Sequence, residues 1–210
     1  MSYNKKRQVS RFLEGGDIVS KKGDRTKQFI KEKAKILFAE KGFKIVTMKD
    51  ICEATGLSRG GLYRHYNSTH VIFSEIISEF LDDQNNLFSE SIDNNVPAKE
   101  ILISILDKYE AEMLDTKGSL SMAIYEYFSN DEISESENLL LKRYALSYQS
   151  WNTLIEYGIS RGEFKQVDTN SIFDLIVFSY QGVRMYSQLM PVSKETPGRI
   201  LKQIKQLLLK

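Results

Sequence analysis

Residues Thr47–His70, TMKDICEATGLSRGGLYRHYNSTH, decide how the chain is read. Thr47 is placed to cap a helix, and Asp50, three residues on, to bond back to its amide in a short-armed capping box. From Met48 to Thr55, Ile51 and Ala54 make a small apolar stripe. Gly56 supplies the left-handed backbone that a sharp turn between two helices needs. Ser58 caps the next helix, in which Arg59, Gly60, Gly61, Tyr63, Arg64 and His65 surround a single apolar anchor, Leu62. A helix with so little to bury, so many donors and two glycines is poorly built for a core. It is well built to lie against an anionic surface.

On the N-terminal side, Ile30, Ala34, Leu37 and Phe38 recur at i, i+4, i+7, i+8 from about Thr26 to Lys41, which predicts a helix ended by Gly42 with Phe43 folding back on it. Its polar side carries Lys27, Lys31 and Lys35. Residues 1–25 read as a flexible basic arm, with Gly15-Gly16 and Gly23 breaking any helical pattern. The formal net charge of +1 conceals a split: residues 1–67 hold 16 Lys/Arg against 7 Asp/Glu, and residues 68–210 hold 13 against 21. A basic first third on an acidic remainder is the footprint expected of a phosphate-backbone binder.

On the C-terminal side, Ser68 to about Asp93 predicts one long amphipathic helix, a lever running from the basic part into the acidic part. Pro97 opens another, with Ile101, Leu102, Ile105, Leu106 and Tyr109 at helical spacing. Gly118 separates a shorter, aromatic piece, Leu120–Phe128. Residues 132–162 carry the longest pattern, closed by Gly162 in the C′ position. Residues 169–190 are apolar on nearly every face and so predict burial on both sides, inside the subunit and against a second one. The tail from Arg199 to Lys210 shows Ile200, Leu201, Ile204, Leu207 and Leu208 on one face, a second candidate seam. No strand pattern or repeat is present, and the reading is all-α, with nine or ten helices.

With 210 residues the chain is long enough to bury a proper core. It contains no apolar run of membrane-spanning length, and its charged N-terminus does not read as a secretory signal. A single cysteine, Cys52, excludes an internal disulfide framework and fits a reducing cytoplasm. The two histidines, His65 and His70, share no helix face, so no metal site is expected.

The run from Ile30 through Phe73 resembles the DNA-binding domain of the tetracycline-repressor (TetR/AcrR) family of bacterial regulators. Ala34, Leu37-Phe38 and Gly42-Phe43 carry the resemblance in the first helix, followed by Thr47-Met48 and Asp50-Ile51. The turn Gly56-Leu57-Ser58, then Gly60, Leu62-Tyr63, His65-Tyr66, Ser68 and Phe73 complete it. Gly158 to Phe164, GISRGEF, looks like the end of the seventh helix of many members. The resemblance implies a helix-turn-helix head over residues 26–70 and a larger helical effector-binding and dimerisation body over 71–210. It implies a homodimer on double-stranded operator DNA, its heads about 34 Å apart on a palindrome, and release by a small-molecule effector. One departure concerns position 69, where members often carry a phosphate-binding Lys and this chain has Thr.

The expected DNA contacts are Thr47 and Ser58 at helix N-termini, and Tyr63, His65 and Thr69 as phosphate contacts by resemblance. Lys49 joins them, Arg59 and Arg64 reach base edges, with Arg59 ranked first, and Gly60 and Gly61 allow close backbone approach. By resemblance, Tyr125, Phe128, Tyr144, Tyr148, Trp151, Phe178 and Arg184 line an effector pocket suited to a hydrophobic or aromatic compound. Leu175, Phe178, Met185, Ile204 and Leu208 are the expected dimer seam. With no Gly-rich phosphate loop and no Gly-x-Ser-x-Gly motif, no enzyme activity and no cofactor are expected. The competing reading is a DNA-binding adaptor or nucleoid protein whose body docks a protein and no small molecule.

Overall fold

The computed structural model describes residues 23–82, 88–115, 118–129 and 138–210, and the side chains of 80–82 are outside that description. Most of the predicted basic arm, residues 1–22, and the first residues of the 132–162 pattern lie outside the described residues. Ten helices are present among those described. They are α1 (residues 23–41), α2 (Met48–Thr55), α3 (Arg59–Tyr63), α4 (Thr69–Asp82), α5 (Ser89–Asp93), α6 (Ala98–Met113), α7 (Ser121–Phe128), α8 (Leu139–Ser160), α9 (Thr169–Leu189) and α10 (Thr196–Leu208). The chain divides into two compact units, Met1–Ile77 and Ser78–Lys210, with the division inside α4.

In the first unit, α1 turns Ile30, Ala34 and Phe38 inward at 0% exposure, as the 3.6-residue period requires. Gly42 closes it with φ 83°, and Phe43 returns to stack on Phe38 (5.8 Å) and Phe73 (5.1 Å). Ile51 from α2, Leu62 from α3 and Ile72, Phe73 and Ile76 from α4 complete this core. Ala54, expected to pack, is exposed, so α2 is held chiefly by Ile51. Two lysines of the basic stripe on α1 turn out to be engaged internally. Lys27 and Lys31 lie 3.3 and 3.9 Å from the Glu75 carboxylate, which also accepts the Tyr66 hydroxyl at 2.7 Å. These bonds tie α1 and the end of the recognition segment to α4.

The expected long helix over Ser68–Asp93 is not continuous. Phe88 has non-helical backbone, turns into the core at 4% exposure and starts α5 afresh. Packing explains the break: Phe88 meets Trp151 edge-on at 5.2 Å, a contact across 63 positions that no local pattern encodes.

In the second unit, α6, α8, α9 and α10 pack against one another around Leu102, Leu106, Trp151, Leu154, Ile155, Phe173, Ile204 and Leu208. The turn after α8 is clipped by the C-terminus: Phe164 forms an isolated antiparallel bridge with Leu209, and Lys165 N donates to Leu208 O at 2.8 Å. Gly162 adopts φ 72° at the expected C′ position, and its N–H reaches Ile159 O at 2.9 Å. The tail helix α10 therefore belongs to the subunit's own core. Ile204 and Leu208, expected at a seam between subunits, are both 0% exposed and have no surface left to offer a second chain. On α9 the inward side is Ile172, Phe173, Ile176 and Val183, and the opposite side leaves Leu175, Phe178, Tyr186 and Leu189 exposed.

Candidate nucleic-acid interface and the polar cluster of the body

The head builds its outward face from local signals. Thr47 Oγ1 accepts the Asp50 amide at 3.2 Å, and Asp50 accepts the Thr47 amide at 2.9 Å, which completes the capping box. With the Thr47 hydroxyl also donating to it and Lys41 3.3 Å away, the Asp50 carboxyl is held down at about 2. Gly56 turns the chain at φ 69°, and Ser58 Oγ accepts the Gly61 amide at 3.1 Å at the start of α3. Leu62 alone on α3 is buried. Thr47, Lys49, Ser58, Arg59, Gly60, Tyr63 and Arg64 are exposed, whereas Gly61, His65 and Thr69 are half-buried.

The electrostatics of this face are uneven. Lys49 is 3.8 Å from Glu53 one turn on, but both are highly exposed, so the pair is weak and easily exchanged. Arg59 lies over the Tyr63 ring at 5.5 Å, and among the described residues neither Arg59 nor Arg64 makes an ion pair. Their charges are thus available to an anionic partner at no cost in broken salt bridges. A Cβ added to Gly60 would meet nothing within 4 Å, whereas one added to Gly61 would lie 3.2 Å from Ser58 Oγ. Gly61 answers to the cap beneath it, and Gly60 to no neighbour in the chain itself.

The expected pocket residues of the body do not converge on one point. Tyr125 is 59% and Phe178 61% exposed, on outward sides of α7 and α9, so neither faces a shared interior. It is Tyr127, two residues on along α7, that is buried, with Phe128 packed edge-on against it at 5.0 Å. Tyr144 and Tyr148 both meet Phe173 edge-on at 5.2 Å, and their hydroxyls bond Asp174 and Asn170 across the α8–α9 contact. Trp151 is fully enclosed, with the Tyr109 ring 6.2 Å from the indole and the Tyr109 hydroxyl as the hydrogen-bond partner nearest to it.

Arg184 is the expected residue that organises something. Its guanidinium donates to the Tyr180 hydroxyl (2.8 Å), Ser119 Oγ (3.1 Å), Ser121 Oγ (3.3 Å) and the Glu112 carbonyl (3.4 Å). The Glu112 carboxylate lies 3.7 Å away and accepts the Tyr180 hydroxyl. Tyr109 stacks on Tyr180 at 4.2 Å, and Arg143 on α8 is electrostatically coupled to both tyrosines, to Glu112 and to Arg184. Burial lowers the Arg143 pKa from its ordinary value and raises those of Tyr109 and Tyr180. Sequence reading passed over Tyr109, Glu112 and Arg143 as pocket residues. The available signal was the spacing, with Tyr109 and Glu112 three apart and Tyr180 and Arg184 four apart, each pair stacked on one helix face.

Two family models match the chain. "Bacterial regulatory proteins, tetR family" covers residues 30–76, and "Tetracyclin repressor-like, C-terminal domain" covers residues 101–196. The chain is 34% identical over 145 residues to the HTH-type transcriptional regulator YfiR of Bacillus subtilis, covering 69% of this chain and 70% of that one. It is 28% identical over 151 residues to the HTH-type transcriptional repressor KstR2 of Rhodococcus jostii, covering 71% and 72%. A TetR transcriptional regulator from Chloroflexus aurantiacus has the same fold at TM-score 0.73 and 20% identity, over 90% of this chain and all of that one. The ketosteroid transcriptional regulator KstR2 of Mycobacterium tuberculosis shares it at TM-score 0.66 and 19% identity, over 88% and 95%. These relatives are regulators and not enzymes. With a capped helix-turn-helix presenting exposed arginines and a helical body matching the companion domain, the chain belongs to the TetR family of bacterial transcriptional regulators and is a DNA-binding protein.

Proposed function

We propose that the protein is a homodimeric repressor released from a palindromic operator by a small, largely apolar effector. The DNA contacts assigned are Thr47, Lys49, Ser58, Arg59, Gly60, Gly61, Tyr63, Arg64, His65 and Thr69. The observation that carries the assignment is α3 itself: it buries only Leu62 and leaves Arg59 and Arg64 on one exposed segment, without ion pairs among the described residues. Arg59, in the first turn, is assigned to base reading and the hydroxyl-bearing residues to phosphate positioning.

For the dimer, the exposed side of α9 is the seam: Leu175, Phe178, Gly182, Met185, Tyr186 and Leu189 recur at three- and four-residue steps. A Cβ on Gly182 would meet nothing within 4 Å, which leaves the backbone open to a close-packed neighbouring helix. That the KstR2 relatives are repressors supports the sign of regulation, and that KstR2 of Mycobacterium tuberculosis is a ketosteroid regulator makes bulky apolar compounds the first class to try.

The test is binding to DNA from the protein's own promoter, measured by anisotropy with and without such compounds. Arg59→Ala is expected to cost about 1–3 kcal/mol at one base pair and to relax preference there. A uniform loss over all sequences would instead make Arg59 a phosphate contact. Gly60→Ala is expected to stabilise the isolated protein slightly, by up to about 1 kcal/mol from helix propensity, while weakening operator binding. Unchanged binding would show that the Gly60 backbone does not approach DNA. If no compound or cell extract altered operator affinity, the effector reading would fail and a protein-docking body would take its place.

A further inference from the structure

We propose that Glu75 is a positioning residue for sequence reading: through the Tyr66 hydroxyl it fixes the orientation in which α3 presents Arg59 and, just beyond it, Arg64. This deepens, and rests on, the reading of α3 as the helix that meets DNA. The first observation is how little else holds α3. It is five residues long, Arg59–Tyr63, and Leu62 is its one buried side chain. A helix pinned by a single core residue keeps freedom to turn about it, and a small turn sweeps long arginine side chains across a base edge. The next buried side chain along the sequence is Tyr66, 2% exposed. Its backbone hangs directly on α3: the Tyr66 and His65 amides both donate to Leu62 O, at 3.0 and 2.9 Å, and the Arg64 amide donates to Gly60 O at 3.2 Å. Whatever fixes the Tyr66 side chain therefore fixes the far end of the reading segment.

The second observation is the group that fixes it. The Tyr66 hydroxyl donates to Glu75 Oε2 at 2.7 Å, from a helix that begins only after the segment has ended. The other oxygen of that carboxylate, Oε1, accepts Lys27 Nζ at 3.3 Å, and Lys31 Nζ stands 3.9 Å from Oε2. Lys27 closes the group, with its ammonium 5.0 Å from the centre of the Tyr66 ring. A carboxylate held by two ammonium groups from α1 cannot swing freely, and a charged acceptor makes the stronger kind of hydrogen bond.

Packing alone would be met by a phenylalanine at position 66; the hydroxyl adds a defined depth and rotation. The Lys27 and Glu75 side chains are 40% and 36% exposed, so their ion pair contributes more to geometry than to stability. All the residues joined in this way belong to the first unit, so the orientation of α3 is set within the head itself.

The full-length protein and its variants would be titrated into two labelled duplexes, one from its own promoter and one of equal length with that sequence scrambled. The ratio of the two affinities is the readout. Tyr66→Phe is expected to lower that ratio about five- to thirtyfold, within what one misplaced bidentate base contact is worth. Binding to the scrambled duplex is expected to change by less than about twofold, because phosphate contacts carry no sequence information. A purely structural role would lower both affinities together. Glu75→Leu is expected to lower the ratio by a similar factor, and Tyr66→Phe added to it to lower it no further, since both remove the same bond. Glu75→Gln keeps an acceptor for the hydroxyl and is expected to retain most of the ratio. Glu32→Gln, at an exposed acid of α1, controls for the loss of a charge and is expected to leave the ratio unchanged. Where Glu75→Leu folds poorly, Tyr66→Phe and Glu75→Gln carry the test. An unchanged ratio in Tyr66→Phe, equal losses on both duplexes, additive losses in the double variant, or a Glu75→Gln protein as impaired as Glu75→Leu would overturn the positioning role. Relaxed preference in Arg59→Ala beside full preference in Tyr66→Phe would sink the positioning role and leave the reading of α3 intact. Unchanged preference in Arg59→Ala beside a reduced ratio in Tyr66→Phe would uphold the positioning role and sink base reading by Arg59.

Discussion

Gly158→Ala is expected to lower the melting temperature of the body by about 6–12 °C, corresponding to about 3 kcal/mol for a chain of this size. The reason is steric. A Cβ at Gly158 would stand 2.3, 2.5 and 2.6 Å from three carbons of the Phe164 ring, far inside any contact a real methyl group makes. Relief by moving Phe164 is blocked on several sides. Its amide and that of Glu163 both donate to Gly158 O at 3.0 Å, its backbone bridges Leu209, and its ring is 1% exposed. Gly60→Ala is the internal control: it also sits in a helix, its added Cβ meets nothing within 4 Å, and helix propensity alone predicts a gain of up to about 1 kcal/mol in the isolated protein. Calorimetric scans of the two variants beside the parent decide it. A Gly158→Ala protein that melts with the parent would mean that the turn after α8 is far more yielding than its bonds suggest.

Leu208→Asp and Leu175→Asp are expected to fail in opposite ways. Leu208 is 0% exposed among Leu201, Ile204 and the α6 and α9 side chains, so an aspartate there loses the apolar burial and must also be desolvated without a partner. The combined cost, about 4–5 kcal/mol or more, is comparable to the whole stability of an ordinary domain. Insoluble protein, or a soluble one with collapsed thermal transition, is the expected result. Leu175 is 43% exposed on the outer side of α9, and Leu175→Asp is expected to leave the fold intact and to sediment as a monomer that binds the operator poorly. A folded, monomeric Leu208→Asp would return that residue to the subunit interface. An unchanged sedimentation coefficient for Leu175→Asp at low concentration would remove α9 from it.

The two residues were indistinguishable in the sequence, and the reason is physical. The hydrophobic effect has no direction: a leucine at helical spacing meets its requirement equally against its own core or against another chain. The period of α10 correctly predicts one apolar face but says nothing of what covers it. Docking onto α6 and α9, with Lys165 and Phe164 fastened to Leu208 and Leu209, is what assigns that face to the subunit. The same indeterminacy applies to Tyr125 and Phe178, read as pocket walls and found on exposed sides of their helices, since an aromatic on a helix is drawn inward or outward by neighbours that local pattern does not name.

The charged groups follow a related rule. Lys27 and Lys31 read as part of a basic stripe because their carboxylate, Glu75, lies more than 40 positions away. Glu112 and Arg184 are separated by 72 positions, and Ser119 and Arg184 by 65, so the polar cluster of the body has no local signature beyond two helical spacings.

Where the causes are local, the sequence by itself determined the outcome. The capping box at Thr47–Asp50, the left-handed Gly56, the Ser58 cap, the lone anchor Leu62 and the left-handed Gly162 each depend on residues within a few positions of one another. Each is observed as read. That locality is why Ile30 through Phe73 carries the family resemblance in the sequence itself. Only the tertiary structure decided which apolar faces belong to the subunit's own core and which charges neutralise one another inside. It alone showed Arg184 gathering Tyr180, Ser119, Ser121 and Glu112 from three helices and the segment before α7. Those properties arise between helices distant in the chain, and burial and charge pairing there depend on what the fold brings together.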